Sequence, residues 1–472
     1  MRLVLKFGGT SVGSADAIRQ VSAIVADLHH QPHDLIVVSS AMSGITDLLL
    51  AAAHAAAAGR VSEVVNISAA LRLRHMDAAQ GLIESAEDRA GVVTVIDQRL
   101  AEFARLAEAL AVLGEASPRA LDAVASLGER LSVPLLAGAF RAQGVDAVAI
   151  DAAEVVRTDS VFQAAAPQMA DTRTLAQAKL LPLCASRTVP VVTGFIGSTA
   201  AGVVTTLGRG GSDYSAAILG AAVDADEVWI YTDVDGVLTA DPRVVPGAHP
   251  LETLTYREMS ELAYFGAKVL HPKTILPALE QGIPLRVKNT FNPSHPGTLV
   301  VSQSTEAQGV LKGVTAIERQ SLVTIEGRGM LGVPGIAARA FAAVASTRTS
   351  VTMISQASSE QSICFVVPQQ AAERVLTELR HVFERELARQ DIESIFALDD
   401  VVVVTVVGGA IRQTPGVAGR IFTAVGDGDI NVIAIAMGSS ECSISLAVEA
   451  RHARSAVRHI HTLLDAAGTR TP

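Results

Sequence analysis

Lys6-Phe7-Gly8-Gly9-Thr10-Ser11 closes the first apolar run of the chain, Leu3 to Phe7. Beyond it lies an amphipathic stretch with Ile18, Val21, Ile24, Val25 and Leu28 on one face, then a second apolar run, Leu35 to Ser39. These read as strand, helix, strand, with the Gly-Gly turn at the carboxyl end of the first strand. The alternation recurs at Val145 to Ile150, Val189 to Thr193 and Glu227 to Thr232, which predicts an α/β sheet wrapped by helices. At the turn, Gly8 and Gly9 let the backbone approach an anion, the helix start supplies free N–H groups and Lys6 supplies a positive charge. The combination suits phosphate, although no G-x-x-x-x-G-K-[ST] P-loop occurs in the chain.

Outward from that segment, 472 residues make about three domains. Hydrophobic residues at 49% against 18% charged exclude a disordered chain. The mean hydropathy is +0.36. Its most apolar run, Leu48 to Ala58, is about half the length of a spanning helix and contains His54, so a soluble core is expected and no membrane partner. A net charge of −10 without a dense Lys/Arg block argues against nucleic acid and favours small molecules. Cys184, Cys364 and Cys442 form no framework. The amino terminus has no charged-then-apolar leader, and a cytoplasmic location is expected. His29, His30 and His33 read as a solvated loop rather than a metal site.

Residues 48–127 are rich in Ala, Leu, Glu and Arg and read as a helical insert with a scaffolding role. The turn cluster from Asn289 to Gly297 reads as the end of the first domain. Beyond it, Leu322 to Val367 repeats as Val403 to Val448 at an offset of 81, with 18 of 46 pairs identical, where about three would arise by composition. Each copy reads strand, turn, helix, strand, Ser-Ser-Glu turn, strand and helix, a duplicated α+β module. Gly327-Arg328-Gly329-Met330-Leu331-Gly332 spells a dinucleotide fingerprint, but its repeat partner does not keep it and Thr352 stands where an acid is wanted.

Three further segments carry candidate chemistry. Gly208-Arg209-Gly210-Gly211-Ser212-Asp213-Tyr214-Ser215 puts backbone donors, a guanidinium fork and an acid at a helix start. Tyr231 to Arg243 follows a strand, where ligand loops of open sheets lie, and is rich in Asp. Phe265-Gly266-Ala267-Lys268-Val269-Leu270-His271-Pro272 adds a lysine.

Together with Ser40-Ala41-Met42-Ser43-Gly44-Ile45-Thr46 and Gly128-Glu129-Arg130, these motifs resemble the aspartate kinases over essentially the whole chain. The resemblance implies an amino acid kinase fold over 1–300, an open α/β/α sheet, followed by two α+β ACT modules at 301–398 and 399–472, interleaved in the family. It implies transfer of the ATP γ-phosphoryl group to the side-chain carboxylate of L-aspartate, with Mg²⁺ arriving on ATP and no dedicated metal ligands. By the same resemblance Lys6 and Asp213 are catalytic. Ser40, Thr46, Glu129, Arg209, Gly210, Gly211 and Ser212 bind aspartate, Arg209 at the α-carboxylate and Glu129 at the α-ammonium. Lys6, Phe7, Gly8, Gly9, Thr232, Asp233, Leu238, Arg243, Lys268 and Val269 bind ATP. Leu238 stands where some members carry an aromatic, which removes a stacking partner for the base.

The tail is most similar to aspartate kinases fused to homoserine dehydrogenase, although the sequence stops at Pro472 without one. In such relatives a glutamine in each module is associated with threonine sensing. Here Gln356 is kept and the second position is Met437, so threonine control through the second module is expected to be weak or absent. Threonine and lysine both stand as effectors, dimer and tetramer as assemblies, and lysine, threonine, methionine or ectoine as the destination. The alternatives are another acid kinase of the fold, acting on glutamate or an acylglutamate, and a non-catalytic amino-acid sensor.

Overall fold

The computed structural model describes residues 1–266, 270, 272–303, 310–356, 361–409, 411–437 and 442–467. It divides into two compact units.

The first comprises Met1–Val237, Pro250–Tyr256 and Val269–Ser304. It runs β1 (Arg2–Phe7), α1 (Ala15–His29), β2 (Asp34–Ser39), α2 (Ile45–Ala57), α3 (Val61–Leu82), α4 (Ala86–Leu113), α5 (Pro118–Ala125), α6 (Leu127–Ala142), β3 (Ala147–Ile150), α7 (Met169–Ala185) and β4 (Val189–Thr193). There follow the hairpin β5 (Ile196–Ser198) and β6 (Val204–Thr206), α8 (Gly211–Ala222), β7 (Glu227–Thr232), β8 (Thr253–Thr255), α9 (Tyr256–Tyr264), which continues in the second unit, α10 (Leu276–Glu280), β9 (Leu285–Asn289) and β10 (Thr298–Val301). The sheet has the order β3-β4-β2-β1-β7-β9-β10-β8. β3, β4, β2, β1, β7 and β9 run parallel, β10 reverses against β9, and β8 at the edge runs parallel to β10. Strand β1 is buried on both faces from Leu3 to Phe7, as its unbroken apolar run requires.

Helices α2 to α5 pack into the interior of this unit. Leu49, Leu100 and Phe103 share one core with Leu3, Leu5 and Phe140. Ser14 starts α1 by accepting the Ala17 N–H at 3.2 Å, and Ser85 caps α4 in the same way. Among the described residues one helical stretch, Pro118–Ala142, is long and apolar enough to cross a membrane, and 83% of its apolar window is buried inside the fold.

The second unit comprises Leu238–His249, Arg257–Lys268 and Thr305–Pro472. Its elements are β11 (Gly313–Glu326), α11 (Ile336–Ser346), β12 (Met353–Gln356), β13 (Ser362–Pro368), α12 (Gln369–Val382), α13 (Glu384–Ala388), β14 (Ser394–Val407), α14 (Val417–Asp427), β15 (Ala434–Ala436), β16 (Ser443–Glu449) and α15 (Ala450–Ala467). The sheet order is β12-β13-β11-β14-β16-β15.

Both long strands serve both copies of the repeat. Gly313–Ile317 pairs with Val407–Val403, the register shifts, and Leu322–Glu326 pairs with Leu398–Ser394. The bends fall near Arg319 and Asp400, repeat equivalents that both hold positive φ, 57° and 54°. The position between 398 and 399 therefore falls inside β14, whose two halves pair with different stretches of β11. The Ser358-Ser359-Glu360 and Ser439-Ser440-Glu441 turns lie outside the described residues.

The segment Leu238–His249 is built into the core of the second copy. Ala240 and Val245 pack with Val404, Val406, Ile421 and Ile460. Thr239 Oγ1 meets His461 Nε2 on α15 at 2.9 Å, and Arg458 donates to the Val244 carbonyl at 2.8 Å.

Candidate active site

The carboxyl ends of β1, β2 and β4, with the start of α8, enclose a cleft of about 520 Å³, the position where open parallel sheets hold ligands. Its lining includes Lys6, Gly9 and Thr10 after β1; Ser40 to Gly44, Thr46 and Asp47 after β2; Glu129 on α6; Phe195 after β4; and Gly208 to Asp213.

Lys6 Nζ lies 2.5 Å from Asp213 Oδ1, and the lysine is 8% exposed. The cation is thereby fixed at the cleft wall beside Gly8, where a Cβ would come within 3.3 Å of its Nζ. Gly210, whose φ of 72° favours glycine, precedes the first turn of α8, and among the described residues no side chain caps that turn. Its amino end lies in the cleft lining beside Arg209, an arrangement that receives anions.

Glu129 is the cleft's buried acid, 3% exposed. Gly128 lets α6 come this close, because a Cβ there would stand 2.9 Å from that of Ala41. Oε1 of Glu129 accepts the Ala41 N–H at 3.1 Å, and Oε2 has no partner among the described residues. Burial pushes this carboxyl up to about 8, against the smaller opposing pull of the Ala41 N–H. Glu129 thus lines the cleft with one carboxyl oxygen unengaged among the described residues, a group that can pair with a cation once it is ionised.

The expected nucleotide residues divide. Lys6 and Gly9 line the cleft and Gly8 lies beside the Lys6 ammonium, but the Phe7 ring is fully buried, stacked on Tyr231 at 4.7 Å, so Phe7 offers backbone only. Thr232 ends β7 in the first unit and Asp233 follows it; Thr232 Oγ1 donates to Asp233 at 3.1 Å. Leu238 and Arg243 belong to the second unit; Arg243 is exposed and paired with Asp241 at 2.6 Å. Lys268 and Val269 lie outside the described residues. Among the described residues no group of three or more His, Cys, Asp or Glu is placed to hold a metal.

Gln356 lines a separate cavity of about 300 Å³ with Met330, Gly332 to Ala337 and Ile363. Met437 is exposed beyond β15. The Gly327 to Gly332 segment forms a single 3₁₀ turn, Arg328–Met330. At Gly329 a Cβ would meet Asp391 at 2.5 Å, so that glycine serves chain packing.

Sequence reading passed over Phe195, whose φ is 65° and whose N–H donates to Ser215 Oγ at 2.9 Å; its signal is Gly194-Phe195 directly after a parallel strand. The Asn289 to Gly297 cluster also carries contacts that its turn composition does not signal: the Asn289 and Asn292 amides both donate to Asp235 Oδ1, at 2.8 and 3.0 Å, and Ser11 Oγ lies 2.7 Å from Thr290 Oγ1. That network ties the loop after β7 to the end of β9.

The amino acid kinase family model matches residues 1–289, and an ACT domain model matches 323–383 and 404–464. Lysine-sensitive aspartokinase 3 of Escherichia coli (strain K12) is 34% identical over 98% of this chain and 99% of its own length. The chain belongs to the aspartokinases of the amino acid kinase family. Another similar aspartokinase sequence is the chloroplastic bifunctional aspartokinase/homoserine dehydrogenase 1 of Arabidopsis thaliana, 35% identical over 97% of this chain and 50% of its own length. The chain thus spans about half the length of such bifunctional relatives. Among solved aspartokinases, E. coli aspartokinase III in complex with aspartate and ADP has a TM-score of 0.80 and 31% identity, covering 98% of this chain and 99% of that one. The enzyme from Clostridium acetobutylicum also superposes with a TM-score of 0.80, at 26% identity over 98% of this chain and all of its own.

Proposed function

We propose that the chain is an aspartate kinase that transfers the γ-phosphoryl group of MgATP to the side-chain carboxylate of L-aspartate, giving 4-phospho-L-aspartate and ADP. The carrying observation is the unpartnered Oε2 of buried Glu129 in the same cleft as Lys6 and Arg209. A free α-amino acid brings an ammonium to Glu129 and a carboxylate to Arg209, whereas an acylated nitrogen has no charge for Glu129 to meet.

The acceptor carboxylate is already ionised at neutral pH, so the reaction needs no general base. One of its oxygens forms the new bond to phosphorus as the β,γ-bridging bond breaks and its electron pair leaves with ADP. The obstacle is the approach of two anions. Lys6, held by Asp213, and the Gly8 and Gly9 amides would stabilise the charge on the transferring group. Ser40, Thr46 and Ser212 would hydrogen-bond aspartate, and Gly210 and Gly211 would leave backbone donors open to it. Thr232, Asp233, Leu238, Arg243, Lys268 and Val269 remain the nucleotide residues of this reading, with Phe7 through its backbone. Mg²⁺ travels with ATP.

Gln356 and its cavity would take an amino-acid effector, threonine or lysine, and the two modules would pair between copies in a homo-oligomer. The same reading carries a cytoplasmic setting and a product destined for amino-acid or ectoine synthesis.

Aspartyl-hydroxamate formation with ATP and Mg²⁺, with glutamate as control and threonine or lysine added in turn, tests the reading. Aspartate-dependent turnover that Lys6→Ala abolishes supports it. A preference for glutamate supports the other acid kinase, and turnover unchanged by Lys6→Ala overturns the phosphotransferase assignment.

A further inference from the structure

Asp122 on α5 is 1% exposed and lies within the segment whose sequence suggested scaffolding alone. Both of its oxygens are engaged. Oδ1 accepts the Thr206 hydroxyl at 2.7 Å, and Oδ2 accepts the Thr206 N–H at 3.0 Å. The Gln163 N–H is shared between them at 3.1 and 3.0 Å. Thr206 ends β6, two residues before the Gly208-Arg209 turn. Gln163 holds a φ of 70°, and its carbonyl lies against that turn, since a Cβ on Gly208 would meet it at 2.8 Å. The carboxylate therefore fastens the strand that enters the Arg209 turn and the chain on which the turn rests.

From this geometry we propose that Asp122 is a positioning residue for aspartate binding, holding the Arg209 turn so that the guanidinium meets the substrate's α-carboxylate. The proposal rests on the reading of Arg209 given above. A neutral amide cannot replace Asp122, because Asn turns one oxygen into a donor facing the donors of Thr206 and Gln163. A shift of a binding group by about 1 Å is enough for a large kinetic effect.

The test compares KM for aspartate, KM for ATP and kcat in Asp122→Asn, Thr206→Val, Thr206→Ser and Arg209→Ala. For Asp122→Asn, KM for aspartate should rise about tenfold or more while KM for ATP stays within about twofold. Thr206→Val removes the hydroxyl donor alone and should give a smaller rise, with Thr206→Ser restoring the native value. In an Arg209→Ala background Asp122→Asn should add no further loss, a non-additivity that general loosening would not produce. A folded Asp122→Asn enzyme with native KM for aspartate, or with both KM values raised alike, overturns the proposal. Should Asp122→Asn fail to fold, the Thr206 pair decides: a native KM in Thr206→Val overturns it. If Arg209→Ala raises KM for aspartate and Asp122→Asn does not, this inference alone falls. If Arg209→Ala leaves KM for aspartate unchanged, the reading of Arg209 falls and takes this inference with it.

Discussion

Lys6 at the end of β1 and Asp213 in the first turn of α8 place their charged atoms 2.5 Å apart. The pair is largely shielded from solvent and orients the ammonium, so the two residues should fail in different ways. Lys6→Ala removes the charge itself and should lower kcat by about 10²–10³-fold or more with the fold retained. Asp213→Asn leaves the charge but loosens its direction, and should lower kcat less while retaining ATP binding. Steady-state kinetics with circular dichroism as the folding control checks both.

Glu129 predicts a pH dependence of substrate affinity. Its carboxyl, pushed up to about 8 by burial, holds a proton in the unliganded site at neutral pH, and pairing with an ammonium requires that proton to leave. KM for aspartate should therefore rise by up to about tenfold for each pH unit below 8, with KM for ATP far less affected. In Glu129→Gln the aspartate dependence should flatten at a much higher KM.

The same group has a stability consequence of definite sign. Between the ordinary value of 4.5 and about 8 the folded state holds a proton that the unfolded state has released. Stability contributed at this site thus falls as pH rises through that window. At about pH 9 the unliganded Glu129→Gln protein should melt a few degrees above the native one in differential scanning calorimetry.

His75 predicts acid sensitivity at a distance from the cleft. It is fully buried in α3, its Nδ1 lies 2.7 Å from the Leu71 carbonyl, and its Nε2 has no partner among the described residues. Burial holds its pKa below 6.5, so the unfolded chain takes up the proton first and stability is lost as pH falls below that value. His75→Gln should reduce the change in urea midpoint between about pH 7 and pH 5.

Effector binding should be lopsided. Gln356 borders a cavity of about 300 Å³, whereas a thioether stands at Met437 and cannot replace an amide's donors and acceptor. Titration calorimetry with threonine and with lysine should find one site per chain, lost in Gln356→Ala. Two sites, with Met437→Gln changing neither affinity nor inhibition, would sink the expectation.

What was legible in the sequence was mainly local or repeated. The Gly-Gly turn after Leu3–Phe7, the Gly208 to Ser215 cluster and the offset of 81 each lie within one window or one self-comparison, because a strand-turn-helix junction writes its glycines next to its polar groups. Phe195, Asp122 and the Asn289–Asp235 network escaped because their meaning depends on segments far apart in the chain. Nothing around Asp122 marks a carboxylate that will meet Gln163 and Thr206. The strand-sharing of β11 and β14 escaped exact placement for a related reason: a β-run of fourteen residues does not announce where it changes neighbours.

Ala240 and Val245 sit in a hydrophobic core otherwise composed of residues from Leu311 to Leu464. Gene fragments divided near residue 304 would therefore not yield two intact proteins. The downstream fragment would lack the Leu238–His249 plug of its own interior, and the upstream fragment would carry that plug with its apolar side chains bare, prone to self-association. Complementation or chimera experiments should carry both excursions, Leu238–His249 and Arg257–Lys268, with the downstream partner's sequence, so that the unit of exchange is set by shared interior and not by position along the chain.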